Sequence, residues 1–192
     1  MFLYSKPNAL PVDLCNVLIQ SFEQSPLKKR GAIGYLGETV EKNDVKSSTD
    51  ITFDPSFIQD PVWGPQLQAV VDTLSHGMEE YIARFDKAMN NMDDFRLNDH
   101  FNMQRYTPGE GFHGWHCERA GLTHSNRILA WMFYLNDVTD NGGTQFHYQQ
   151  HIEQPQAGKL IIWPSDWMYL HRGLVSPTQT KYVLTGWYVH YK

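Results

Sequence analysis

The stretch Arg127-Ile-Leu-Ala-Trp-Met-Phe-Tyr-Leu135 is almost wholly apolar. A strand covered on both faces has such a continuous apolar run, whereas a half-exposed strand alternates apolar and polar residues. We therefore predict a buried central strand here, and the fold prediction depends on this strand more than on any other.

Short strands are expected on both sides of this segment, throughout the second half of the chain. They are separated by Pro-Gly, Asn-Gly-Gly, Pro-Gln-Ala-Gly and Ser-Pro-Thr sequences, which are typical of turns. The predicted strands are 100–106, 127–135, 144–152, 159–163, 167–171 and 181–191.

The first half of the chain predicts two amphipathic helices. One follows Pro11, where apolar residues recur at helical spacing, and the other covers roughly 64–85. Helices followed by a run of short strands favour a mostly β fold with flanking α-helices, namely a double-stranded β-helix (a jelly roll, cupin-like). We expect one domain over 1–192, with a helical N-terminal part to about 95 and a jelly-roll core from about 96.

The composition narrows the class of protein. Lys and Arg total 16 and Asp and Glu total 21, which gives a formal net charge of −5 over 192 residues. Without a basic patch, this balance argues against a nucleic-acid partner. Two isolated cysteines, no secretory leader and no apolar run of membrane-spanning length predict a cytoplasmic protein without a membrane partner.

The segment Trp115-His116-Cys117-Glu118 suggests a metal site. On a strand, His116 and Glu118 project from the same face, and a distant histidine, His171, could complete a set of two imidazoles and one carboxylate. Such a facial triad suits Fe(II) and leaves three coordination positions open. The spacing alone is weak, because His and acidic residues often lie close together by chance.

Lys181 strengthens this interpretation. It follows His171 by ten residues, and the turn residues Ser176-Pro177-Thr178 lie midway between them. A turn there predicts a hairpin with His171 and Lys181 opposite each other. An ammonium group beside the metal would suit a dicarboxylate that chelates the metal at its other end.

Over about eighty residues, the chain resembles the iron(II)/2-oxoglutarate oxygenases of the prolyl-4-hydroxylase type. The matching residues are Tyr106-Thr-Pro-Gly109, Phe112, His116-Cys-Glu118, Arg127, Tyr134-Leu-Asn136, Gly142-Gly-Thr144-Gln-Phe146, Pro155, Gly158, His171, Lys181 and Trp187. The resemblance implies Fe(II), 2-oxoglutarate and O2 as cofactor and co-substrates, with ascorbate as a further cofactor, and release of succinate and CO2. It also implies His116, Glu118 and His171 as the catalytic metal ligands.

Several more residues are candidates for the site, each with a simpler alternative. Strand alternation places Thr185 and Trp187 on the same face as Lys181, so Thr185 could donate to the co-substrate and Trp187 could border the substrate. Tyr106 is a second candidate donor, or a buried core residue. Arg127 is either a substrate contact or an ion-paired edge residue, and Trp187 could equally be core.

Glu118 is the main departure from the family, which usually has Asp here. It leaves room for a non-catalytic metal-binding barrel, and a cupin-type metallo-enzyme that does not use 2-oxoglutarate is the other alternative. The resemblance implies a peptidyl-proline or a related amino acid as the substrate, and an open groove that Trp115, Arg127 and Trp187 could line would suit it. Loops 36–53 and 120–126 are expected to set the specificity.

Overall fold

The apolar stretch is a strand in the structure, and it spans Arg127–Tyr134. Trp131 and Phe133 pack into one apolar cluster, whereas Ala130, Met132 and Tyr134 pack into a second cluster. Both faces of the strand are therefore buried, which confirms the prediction and accounts for the absence of polar alternation. The structure is a computed structural model that describes residues 1–35 and 38–191.

The described residues form fifteen strands, three α-helices and three short 3-10 helices. The strands are β1 (Tyr4–Lys6), β2 (Lys29–Arg30), β3 (Ile33–Tyr35), β4 (Glu38–Val40), β5 (Lys46–Ser47), β6 (Thr49–Phe53), β7 (Phe95–Leu97), β8 (Phe101–Tyr106), β9 (Gly111–Phe112), β10 (Arg127–Tyr134), β11 (Thr144–Phe146), β12 (His151–Glu153), β13 (Leu160–Pro164), β14 (His171–Gly173) and β15 (Lys181–His190). The helices are α1 (Val12–Gln24), α2 (Trp63–Arg84) and α3 (Asp86–Met89), with 3-10 helices at Pro55–Gln59, Leu122–His124 and Trp167–Tyr169.

Two antiparallel sheets face each other, with the predicted helices outside. The larger sheet has the order β1-β13-β10-β15-β8-β6-β2, with β7 also paired to β15, and the smaller sheet has the order β12-β11-β14. Helices α1 and α2 pack on one face of the larger sheet, where Phe22 and Leu74 join the cluster of Trp131. The smaller sheet covers the opposite face through Phe146. This is the predicted double-stranded β-helix.

The N-terminal part is not only helical, contrary to the expectation for residues 1–95. Strand β1 pairs with β13, with Tyr4 opposite Ile162, and β6 pairs with β8, with Ile51 opposite Met103. These strands are short and lie at or near the sheet edge, so their sequences carry little periodicity. None of the described helices is long and apolar enough to cross a membrane.

Two predicted strands are interrupted. The segment 144–152 is two strands, β11 and β12, joined by a turn in which Gln150 has a φ of 50°. The segment 167–171 begins as a 3-10 helix, and only His171 belongs to a strand. In both cases a turn or a 3-10 helix lies inside a stretch that has strand-like composition and contains no Gly or Pro.

The predicted hairpin between His171 and Lys181 is wrong. Strand β14 pairs with β11, with His171 opposite Phe146, whereas β15 pairs with β8, with Lys181 opposite Tyr106. The turn residues between them carry the chain from the smaller sheet to the larger one. The two side chains nevertheless face the same space, because that space lies between the sheets.

Candidate active site

His116 and His171 are held side by side by their backbones. His116 N donates to His171 O at 3.0 Å, and His171 N donates to His116 O at 2.8 Å, which makes an isolated bridge between distant segments. The sequence predicted a strand here, but His116 is not on a regular strand and Glu118 lies at the start of a turn. The extended backbone at 116 is enough to bring His116 and Glu118 into the same cavity.

The tautomer of each imidazole is set by a backbone carbonyl. Nδ1 of His116 lies 2.9 Å from Gly114 O, and Nδ1 of His171 lies 2.8 Å from Tyr169 O. Because a carbonyl can only accept, each Nδ1 carries the proton, and each Nε2 is left with a lone pair for a ligand. Desolvation, with the nearby His171, lowers the pKa of His116 to about 4, so this imidazole is neutral at neutral pH.

Glu118 completes a group that could hold a metal ion. Its Oε1 lies 3.3 Å from His171 Nε2 and 3.8 Å from His116 Nε2, and the three candidate ligand atoms all lie within 4.8 Å of one another. Burial raises the pKa of the Glu118 carboxyl, but its contacts with His171 and His116 and with the Arg127 guanidinium outweigh burial and hold the pKa well below its usual range. One carboxylate oxygen and two imidazole nitrogens form a donor set that fits Fe(II).

Aromatic packing holds the His116 ring in place. The Phe112 ring stacks on it with centroids 3.7 Å apart and an interplanar angle of 10°. The Trp163 ring meets His171 edge-on, at a centroid distance of 5.2 Å. The two imidazoles therefore have little freedom to leave the cluster.

Lys181 is buried on the same cavity, with only 5% of its surface exposed. Its Nζ donates to Gly142 O at 2.7 Å and lies 4.9 Å from the centre of the Tyr106 ring. Within the described part of the chain, no carboxylate pairs with it, and desolvation lowers its pKa to about 8. A buried ammonium of this kind can accept a ligand carboxylate as its missing counter-charge.

Tyr106 and Thr185 both line the cavity, but their hydroxyl protons are already used. Tyr106 donates to Gln104 Oε1 at 2.8 Å, and Thr185 donates to the backbone carbonyl of Trp131 at 3.0 Å. The role of co-substrate donor proposed for each would require these hydrogen bonds to be exchanged. As they stand, either hydroxyl can only accept.

Arg127 and Trp187 contact Glu118. The Trp187 indole N–H donates to Glu118 Oε2 at 2.8 Å, and Arg127 Nη1 lies 3.7 Å from the same oxygen. The Arg127 guanidinium also stacks 3.5 Å above the centre of the Trp187 ring. Arg127 is thus ion-paired, which is one of the two alternatives that its sequence position left open, and its role as a substrate contact stays a prediction.

Seven further residues of the described ranges line the cavity, and the sequence analysis did not assign them to the site. They are Gln104, Phe112, Met132, Thr144, Trp163, Gly173 and Val183. Strand alternation from Tyr106 and Lys181 could have found Gln104 and Val183. Trp163 and Gly173 carry no such pattern and enter the site only through the pairing of the sheets.

A second and larger groove adjoins the cavity at Trp187. It is lined by Arg127, by residues of 46–52 and by residues 120–124, which lie in the two loops expected to set specificity. Leu36 and Gly37, at the start of the first loop, lie outside the described residues. Trp115 lies elsewhere: it is 39% exposed and packs against Arg172 and His147, so it does not line this groove.

Two imidazoles and one carboxylate between the sheets of a double-stranded β-helix are a ligand set typical of non-haem Fe(II) oxygenases. Residues 101–189 match the family model of the 2OG-Fe(II) oxygenase superfamily. The family uses Fe(II) and 2-oxoglutarate. The resemblance seen in the sequence is thereby confirmed.

A curated relative and several solved structures are similar to this chain. A PKHD-type hydroxylase of Synechococcus sp. (strain CC9902) is 28% identical over 94 residues, which cover 46% of this chain and 40% of that protein. The match thus spans less than half the length of this relative.

The structural likeness extends over nearly the whole chain. A viral collagen prolyl hydroxylase from Paramecium Bursaria Chlorella virus-1, in its 2OG complex, has a TM-score of 0.70 at 16% identity, covering 98% of this chain and 96% of that one. A Pseudomonas putida prolyl-4-hydroxylase has a TM-score of 0.69 at 20% identity, covering 99% of this chain and 93% of that one. A Trichoplax adhaerens prolyl hydroxylase in complex with a hypoxia inducible factor peptide fragment has a TM-score of 0.73 at 16% identity, covering 97% of this chain and 83% of that one. At these identities, the TM-scores show that the three proteins share the fold of this chain.

Proposed function

We propose that this protein is an Fe(II)- and 2-oxoglutarate-dependent dioxygenase that hydroxylates a proline in a peptide, with release of succinate and CO2. The observation that carries the proposal is the buried ammonium of Lys181 in the same cavity as the His116, Glu118 and His171 cluster. A chelating dicarboxylate needs both features. A cupin-type enzyme that does not use 2-oxoglutarate would have no use for Lys181.

In this proposal His116, Glu118 and His171 hold the iron through Nε2, Oε1 and Nε2. Bound iron supplies the redox chemistry that converts 2-oxoglutarate and O2 to succinate and CO2 and transfers one oxygen atom to the substrate. Lys181 neutralises the far carboxylate of 2-oxoglutarate, and Tyr106 and Thr185 border it. The apolar walls Met132, Trp163 and Val183 keep water from the reacting groups.

The substrate is proposed from the groove and from the fold. The groove leads to the cavity past Trp187, and the prolyl hydroxylase of Trichoplax adhaerens, which shares the fold, is described in complex with a peptide. Arg127 and Trp187 lie where groove and cavity meet and would border the target residue. Free proline or another small amino acid is the nearest alternative substrate.

Residues 1–192 would act as one oxygenase unit, because β1 and β6 of the N-terminal part pair with β13 and β8 of the matched region. Ascorbate as a reductant and a cytoplasmic location stay predictions.

The test is succinate release from 2-oxoglutarate with Fe(II), ascorbate and proline-rich peptides, followed by mass spectrometry of the peptides. We expect a mass gain of one oxygen on proline, and none on matched peptides with alanine in place of proline. His171→Ala should abolish succinate release, whereas His151→Ala should retain it. His151 does not line the cavity, and its Nε2 lies 3.1 Å from Glu153 Oε2.

The outcomes separate the alternatives. Succinate release stimulated by a free amino acid, with peptides unmodified, would contradict the peptidyl-proline substrate and retain the oxygenase. Iron binding without any use of 2-oxoglutarate would favour the cupin-type enzyme or the non-catalytic barrel.

A further inference from the structure

The two carboxylate oxygens of Glu118 have different surroundings. Oε1 faces the imidazoles, at 3.3 Å from His171 Nε2, whereas Oε2 accepts the Trp187 indole N–H at 2.8 Å. Oε2 is also 3.7 Å from Arg127 Nη1. One oxygen is thus presented to the metal position and the other is engaged on the opposite side.

Arg127 supports this arrangement in two more ways. Its guanidinium lies 3.5 Å from the centre of the Trp187 ring, and its Nη1 lies 3.3 Å from the Glu118 backbone carbonyl. It therefore packs on the indole that donates to Oε2 and also bonds the backbone from which the carboxylate extends. A stacked cation is a stabilising partner for an indole ring.

A β-bulge brings Arg127 to this position. The register between β10 and β15 shifts between Arg127 and Leu129, so that Arg127 lies opposite Val189 and Ala130 lies opposite Trp187. Regular alternation would have put Arg127 on the helix-covered face with Leu129. A bulge re-aims a side chain in this way, and here it turns the guanidinium towards Glu118.

The binding mode of the carboxylate decides how many positions remain on the metal. A carboxylate can bind a metal through one oxygen or through both. With two imidazoles and one carboxylate oxygen, an octahedral metal keeps three positions, and a chelating 2-oxo acid then leaves one. If both oxygens of the carboxylate bound, the chelate would fill every remaining position.

We propose that Trp187 and Arg127 are positioning residues that restrict Glu118 to one-oxygen metal binding and so keep one coordination position free beside 2-oxoglutarate. Glu has one more methylene and one more rotatable bond than Asp, so its second oxygen can swing towards the metal more easily. The inference rests on the proposed function for the use of the metal site, but it concerns Glu118 and can be measured without turnover.

The test uses Mn(II) as the metal and counts its exchangeable waters by water-proton relaxation, with and without 2-oxoglutarate. Trp187→Phe keeps a ring for Arg127 to pack on and removes the N–H. We expect its relaxation enhancement per bound Mn(II) to fall by about a third relative to wild type without 2-oxoglutarate, and nearly to the outer-sphere level with it.

Trp131→Phe is the matched control. Trp131 pairs with Gly186 beside Trp187, is buried in the core, and its indole N–H has no hydrogen-bond partner among the described residues. It loses the same N–H and should keep the wild-type enhancement. Arg127→Met keeps the packing but not the charge, and its relaxation enhancement should fall less than that of Trp187→Phe. It replaces Trp187→Phe in the test if that variant does not fold.

Wild-type enhancement in a folded Trp187→Phe, or in Arg127→Met if Trp187→Phe does not fold, would overturn the inference. Failure of the proposed function would look different: wild type would release no succinate, whereas the relaxation pattern would still distinguish Trp187→Phe from Trp131→Phe.

Discussion

At the scale of single residues, Lys181 has the least usual surroundings. Buried lysines are normally paired with a carboxylate, but the described partners of Lys181 are the carbonyls of Gly142 and Leu174 and the face of the Tyr106 ring. Holding an ammonium group in such a site is unfavourable for the free protein. A ligand carboxylate would recover part of that cost on binding.

Replacing Lys181 with Met should weaken 2-oxoglutarate binding and leave metal binding nearly unchanged. The distal carboxylate would lose its partner in a low-dielectric cavity, a loss on the order of 2–5 kcal/mol. Calorimetric titration of the Mn(II)-loaded protein measures it. Lys159→Met is the control, since Lys159 pairs with Glu153 and does not line the cavity. Equal 2-oxoglutarate affinity in Lys181→Met and wild type would remove the proposed role.

The affinity for 2-oxoglutarate should also fall with rising pH. Desolvation lowers the pKa of Lys181 to about 8, so the free protein has the ammonium form below that pH and loses it above. Because the ligand needs the ammonium form, the dissociation constant should rise by up to about tenfold per pH unit above 8. Titrations from roughly pH 6.5 to roughly pH 9.5, a range that brackets this pKa, measure the effect.

Two controls isolate the Lys181 proton. Pyruvate, a 2-oxo acid without a second carboxylate, should lack this dependence in wild type, and 2-oxoglutarate should lack it in Lys181→Met. A flat profile for 2-oxoglutarate in wild type would show that Lys181 does not titrate in this range.

At the scale of elements, β15 connects both sides of the fold. Leu184 and Tyr188 pack towards the helices, while Lys181, Val183, Thr185 and Trp187 face the cavity. Gly186 lies on the helix-side face, between two large aromatic residues of the neighbouring strands. A Cβ there would lie 2.6 Å from Trp131 Cζ2 and 2.8 Å from Phe101 Cβ.

Gly186→Ala should therefore destabilise the protein. Both neighbours are buried and belong to paired strands, so relief requires the sheet to shift, and we expect a loss of about 1–3 kcal/mol in the free energy of unfolding. Urea denaturation measures it. In Gly121→Ala the added Cβ would meet no described atom within 4 Å, on extended backbone with a φ of −160°, so the change should stay within about 0.5 kcal/mol. Similar losses in the two variants would contradict the packing account.

At the scale of the whole molecule, the candidate metal ligands come from segments far apart in the chain. His116 and Glu118 precede β10, and His171 begins β14 in the smaller sheet. The cavity itself is closed by residues of both sheets. Since the unfolded chain cannot hold these groups together, metal binding favours the folded state.

Saturation with Mn(II) should raise the free energy of unfolding by about 2.7 kcal/mol at a free concentration of roughly 100 times the dissociation constant. Thermal or urea unfolding with and without Mn(II) measures this. His171→Ala should lose the stabilisation, and His151→Ala, on strand β12 of the same sheet, should keep it. Stabilisation that survived in His171→Ala would mean that the ion binds elsewhere.

Much of the fold and part of the site could be predicted from local patterns. The buried strand β10 and the helices α1 and α2 follow from the spacing of apolar residues, which depends only on the period of each element. The assignment of His116, Glu118, His171 and Lys181 to one cavity followed from motif order and resemblance. All four do line that cavity in the structure.

By itself, then, the sequence determined the buried strand β10, the two amphipathic helices α1 and α2, and which residues are candidates for the chemistry. Only the tertiary structure decided that His171 and Lys181 lie on different sheets, that a bulge turns Arg127 towards Glu118, and that Trp187 donates to that carboxylate. The reason is physical: periodicity is a local property, whereas pairing partner, register and bulges depend on contacts between residues far apart in the chain.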